Sequence, residues 1–102
     1  MLFLDEYSAI GWGQSDTIGS AMNQQTKLLA AIRANPKAVR FADASKAAVL
    51  LGFIHKGGSG SHRAYARSGE PAGLNFQNRN GLIPPYQARQ LIAMMDKYEG
   101  ES

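Results

Sequence analysis

Chemistry concentrates in one stretch of the 102 residues, "GGSGSHRAYAR" at positions 57–67. An imidazole, His62, follows a run of glycine and serine, and Lys56, Arg63 and Arg67 surround it. Histidine ordinarily titrates near pH ~6.5, so His62 can take up or release a proton close to neutrality. The glycines at 57–60 have two readings. They form an ordinary hairpin turn, or they leave room for a ligand to reach the imidazole and offer the Gly58 and Gly60 N–H groups to an anion. The residues alone leave both open. His55, beside Lys56, reads as a surface residue. The chain has no cysteine and its acids are scattered. Two histidines on different strands make a poor ligand set, so neither a metal nor any other cofactor is expected.

The charge distribution favours an anionic partner. Residues 1–21 carry Asp5, Glu6 and Asp16 and no Lys or Arg, so the other 81 residues hold all 11 basic and 5 acidic residues, a formal +6. An excess of that size on a small body draws polyanions to it. A hydrophobic fraction of 44% with 19% charged residues suits one globular domain. No apolar run approaches the ~20 residues of a membrane helix. The opening "MLFLDEYSAIGWG" has acids where a secretion signal needs Lys or Arg. A cysteine-free chain of this kind is expected in the cytoplasm.

The elements that position these residues follow from periodicity. Residues 1–21 show no clear period and read as an extension, with the functional domain expected over 22–102. Leu28, Leu29 and Ile32 predict a helix over 26–34 that Asn35-Pro36 closes. Ala44, Ala47, Ala48 and Leu51 predict a second helix from about Ala42, stopped by Gly52. Strands are expected at 53–56, 61–67 and 74–77, the first two joined by the glycine turn. Along the second strand His62, Ala64 and Ala66 share one face, while Ser61, Arg63, Tyr65 and Arg67 share the other. Which of the two meets the helices stays open, because Tyr65 suits the core and the two arginines beside it do not. Pro84-Pro85 sets the start of a last helix, with Ala88, Leu91, Ile92, Met95 and Tyr98 on its apolar side. The order predicts an α+β domain: a three-stranded antiparallel sheet with helices packed on one face, in the manner of double-stranded-RNA-binding domains, and an extra helix in front.

Set in that order, the residues resemble the HicA family of bacterial toxins. The likeness rests on "LLGFIHKGGSGSH" at 50–62, with its Gly-Phe and Gly-Ser-His steps, and on "NPKAVRF" at 35–41, "LNFQ" at 74–77 and "PYQARQ" at 85–90. It covers about 64 residues, from Asn35 to Tyr98, and leaves residues 1–21 outside. Arg63 and Ala64 follow His62, where many members carry a second histidine or an aliphatic residue. The resemblance implies an mRNA-cleaving endoribonuclease that stops translation, with His62 as the catalytic residue, and a HicB-type antitoxin protein that covers the active surface.

RNA carries its own nucleophile, the 2′-hydroxyl, so such an enzyme needs a proton acceptor and cations for the phosphate. His62 supplies the first without a metal. Lys56, Arg63 and Arg67, with the Gly58, Gly60 and Ser61 turn, are the candidate phosphate contacts beside it. Arg79, Tyr86, Gln87 and Arg89, near the start of the last helix, are further candidate RNA contacts. The alternative expectation is a non-catalytic RNA- or protein-binding module of the same fold.

Overall fold

The structure is a computed structural model describing residues 24–99; the expectations for the N-terminal extension lie outside the described residues. Helix α1 spans Gln24–Ala34 and buries Leu29 and Ile32. Its Asn35-Pro36 stop leads into a single 3-10 turn, Pro36–Ala38. Helix α2 spans Phe41–Leu50 and buries Ala44, Ser45, Ala47 and Ala48, a face of small side chains that lets it lie close to its neighbours.

The end of α2 explains the Gly-Phe step. Gly52 takes φ +89°, its N–H donates to the Val49 carbonyl, and the Phe53 N–H donates to the Ala48 carbonyl. This is the Schellman arrangement, which needs a left-handed residue after the helix and an apolar one behind it. Phe53 fills the second role, at 2% exposure.

Three strands follow, β1 (Ile54–Gly57), β2 (His62–Ala66) and β3 (Leu74–Gln77), forming one antiparallel sheet in the order β1-β2-β3. Ile54 pairs with Ala66 and His55 with Tyr65, and a bulge then brings Gly57 opposite Ala64. On the other side His62 pairs with Gln77, Arg63 with Phe76, Ala64 with Asn75, and Tyr65 with Leu74. Helix α3 runs from Pro85 to Tyr98 and buries Gln87, Ala88, Leu91, Met95 and Tyr98.

Burial alternates along the strands, so the sheet has one covered face. Leu74 and Phe76 are buried while Asn75 is exposed, and Tyr65 is buried between half-exposed alanines. Tyr65, Leu74 and Phe76 join Phe53, Ile83, Leu91 and Met95 in the core beneath the helices. His62, Ala64, Ala66, Asn75 and Gln77 fall on the opposite face by strand period. Ile54 joins them through its pairing with Ala66 and is 63% exposed.

Polar clasps hold the periphery. Arg33 of α1 bridges Asp96 and Glu99 at the end of α3. In the β2–β3 loop, Glu70 accepts hydrogen bonds from Lys97 Nζ, Tyr98 Oη and the Ala72 N–H. These donors, Lys97 foremost, hold the Glu70 carboxyl down at about 2. No helix among the described residues is long and apolar enough to cross a membrane.

Candidate functional site

His62 opens β2 and stands exposed on the uncovered sheet face. The turn before it is tight. The His62 N–H donates to the Ser59 carbonyl at 3.1 Å. A Cβ placed on Gly58, which has φ +117°, would lie 2.3 Å from the His62 carbonyl oxygen. The glycine at 58 is therefore required by the chain's own backbone, not by an approaching ligand. Gly57 and Gly60 have nothing within 4 Å of an added Cβ, so crowding does not hold either position to glycine.

Opposite His62 the register places Gln77. The neighbouring pair, Ser61 and Asn78, carries a ladder hydrogen bond: the Asn78 N–H donates to the Ser61 carbonyl at 2.7 Å. Antiparallel pairs alternate, so His62 and Gln77 form the closer, non-hydrogen-bonded kind, with Cβ atoms about 4.5–5.5 Å apart. The outward-facing Gln77 N–H donates instead to Gln87 Oε1 at 2.8 Å, and Gln87 Nε2 donates to Tyr86 Oη at 3.2 Å. Gln77 Oε1 in turn accepts from Arg79 Nη2 at 3.0 Å.

Arg79 is pinned at its backbone as well. Its N–H donates to the Leu82 carbonyl (2.7 Å) and its carbonyl accepts from the Leu82 N–H (3.1 Å). The two residues between, Asn80 at φ 55° and Gly81 at φ 89°, form the left-handed pair of a type I′ hairpin turn, for which Asn-Gly is a preferred sequence. Asn78 Oδ1 accepts from the Gly81 N–H within the same turn. The turn is strapped to the lead-in of α2, where the Phe41 N–H donates to the Gly81 carbonyl.

No family model, no curated protein and no solved structure matches this chain. What the site can do is therefore argued from its own residues.

Arg63 of β2 and Arg67, just past its end, turn away from His62. Arg67 is half-buried. Its Nε donates to the Leu51 carbonyl at 2.9 Å, and its guanidinium lies 3.7 Å from the Tyr98 ring centroid. Its contacts are those of a residue holding the fold, and the expectation of a phosphate contact there is not supported. Arg63 lies 5.1 Å over the Phe41 ring and lines a groove of about 630 Å³ with Leu28, Ser45, Lys46, Val49 and Leu50, on the helix side of the sheet. Tyr65 is core, as strand period allows, because both arginines keep their charge at the rim and lay their stems along the apolar face.

Of the remaining candidates, Lys56 is exposed in the bulge of β1, and Ser61 is exposed beside His62. Tyr86 is 50% exposed, and Arg89 is exposed one helical turn on. Gln87 does not qualify as an RNA contact: it is 6% exposed and both ends of its carboxamide are engaged. His55 is exposed but belongs to the helix side, its ring tilted against Tyr65 at 5.4 Å. Among the described residues no three His, Asp or Glu side chains gather as a metal site would require. Sequence reasoning passed over Gln77. The signal was there, since strand period puts 75 and 77 on one face, but the pairing of Gln77 with His62 needs the register.

Proposed function

We propose that this chain is a HicA-type toxin, a metal-independent endoribonuclease that cleaves mRNA with His62 as its proton-transfer residue. The observation that carries the reading is the placement of His62: exposed, on the sheet face the helices leave bare, and opposite Gln77, whose Oε1 holds the Arg79 guanidinium. The order of one helix, three antiparallel strands and a closing helix on the same side supports a double-stranded-RNA-binding-like architecture. The net charge of +6 outside residues 1–21 supports a polyanionic partner.

In this mechanism RNA lies across the bare face. His62 accepts the proton of the 2′-hydroxyl as that oxygen attacks the adjacent phosphorus. The bond from phosphorus to the 5′-oxygen breaks, leaving a 2′,3′-cyclic phosphate, and the departing oxygen takes a proton from water. Arg79 and Lys56 offset the charge that builds on the phosphoryl oxygens. Tyr86 and Arg89, at the adjoining end of α3, extend the contact surface. A HicB-type antitoxin would silence the enzyme by covering this same face.

A second reading, an RNA-binding module that does not cut, is favoured by one observation: His55 lies on the other side of the sheet, which leaves His62 as the lone imidazole of its face among the described residues. Labelled transcript incubated with purified protein in a chelator separates the two. Fragments that vanish with His62→Ala, at an unchanged melting temperature, are expected. Intact but retarded RNA with both proteins establishes the binder, and undiminished cutting by His62→Ala overturns the assignment to His62.

A further inference from the structure

We infer that Gln77 is a positioning residue that fixes the Arg79 guanidinium as the phosphate clamp beside His62. The inference rests on the nuclease reading above and adds to it the identity of the phosphate-binding cation and of the group that aims it.

Four observations converge. Arg79 stands two residues past Gln77, the last residue of β3, and its side chain meets that of Gln77. His62 and Gln77 are directly paired, so the residue that holds the Arg79 guanidinium is the cross-strand neighbour of His62. The Arg79 backbone is held on both sides by the Asn80-Gly81 turn, and its guanidinium is held by Gln77 Oε1. Gly60, in the turn before His62, has open space where a side chain would stand.

The choice of glutamine matters chemically. A carboxylate at 77 would also bind Arg79, but it would cancel the charge the phosphate needs. A carboxamide oxygen orients the guanidinium, leaves its full positive charge, and uses one of its five N–H donors. The remaining donors can engage two phosphoryl oxygens side by side. Gln77 is itself anchored from behind, through its N–H to the buried Gln87. Arg63 and Arg67 are unsuited to this role because they occupy the opposite face.

The test is a double-mutant cycle with Gln77→Met, which keeps the side chain's length and packing and removes the acceptor, and Arg79→Ala. Cleavage of a labelled transcript is measured in the full chain, and binding of the same transcript is measured on a His62→Ala background. Arg79→Ala is expected to lower kcat/KM about ten- to hundredfold and to flatten the dependence of log affinity on log salt by about 0.7, one single-strand phosphate contact. Gln77→Met is expected to lower kcat/KM about three- to tenfold while leaving the salt slope unchanged, because the charge remains. The double variant should be no worse than Arg79→Ala alone. Multiplicative losses, or wild-type activity in Gln77→Met, overturn the positioning role while leaving the nuclease reading standing. Cutting that survives His62→Ala, or a wild type that neither binds nor cuts, removes the nuclease reading and this inference with it.

Discussion

The turn before His62 sets up a graded test at three glycines. At Gly58 an alanine methyl would sit 2.3 Å from the His62 carbonyl oxygen and 2.9 Å from the Arg63 Cα. Both atoms are backbone, and the His62 N–H is tied to Ser59, so relief requires moving the residue that carries the imidazole. The φ of +117° adds strain of its own, about 1–3 kcal/mol for a conformation that side chains rarely tolerate. Overpacking contributes about 1–3 kcal/mol more. Gly58→Ala is therefore expected to cost about 2–6 kcal/mol, a drop of about 8 °C or more in melting temperature for a domain of this size. At Gly60, with φ +60° and open space around it, alanine meets only the left-handed penalty of about 1–2 kcal/mol. At Gly57, where no positive φ and no neighbour stand in the way, alanine should change stability by no more than about 0.5 kcal/mol. Thermal unfolding followed by circular dichroism reads all three, and RNA cleavage below the transition shows whether His62 has shifted. A Gly58→Ala melt within 3 °C of wild type, or Gly60→Ala worse than Gly58→Ala, would refute the reasoning.

Other expectations concern the frame around the site. Glu70 titrates at about 2 in the fold and near 4.5 without it, so its clasp contributes above pH 4.5 and fades as pH falls toward 2. Glu70→Gln should flatten the melting temperature's dependence on pH in that window and leave it unchanged between pH 6 and 8, which a series of buffered melts would show. Arg67→Ala should cost about 1–3 kcal/mol, since it removes the contact to Tyr98 and leaves the Leu51 carbonyl without this donor. Its salt slope for RNA should be that of wild type, the opposite of Arg79→Ala. Gln87→Leu strands the Gln77 N–H at about 1–3 kcal/mol by chemical denaturation. Phe76→Ala, in the fully covered core, should cost about 3–5 kcal/mol, enough to leave much of the protein unfolded at 37 °C.

Local patterns were readable where the chain announces its own geometry. The third strand lies at 74–77 as periodicity places it, and Pro85 opens the last helix as the proline pair requires. Gly52 ends α2 for the expected reason, and even the conflict around Tyr65 was visible in the alternation of β2. What escaped depends on which segments meet. Arg67 looks like any exposed cation until the chain brings Leu51 and Tyr98 to it from 16 and 31 positions away. Gln87 looks like a surface amide on a helix start until β3 presents an unpaired N–H to it. At Gly58 both readings of the glycines stayed open, and only the folded turn shows that the backbone of residue 62 fills its space. The contacts of Arg67 and Gln87 join segments apart in sequence, where pattern carries no information and register carries all of it.

The two-residue period of β2 ties the spacing of His62 and Tyr65 to the identity of each surface. Inserting or deleting one residue between His62 and Tyr65 would put both on one face, either carrying the imidazole under the helices or pushing the tyrosine out into water. Reactivity and core packing therefore share one spacing, and this segment can lengthen or shorten only in steps of two if both are to survive.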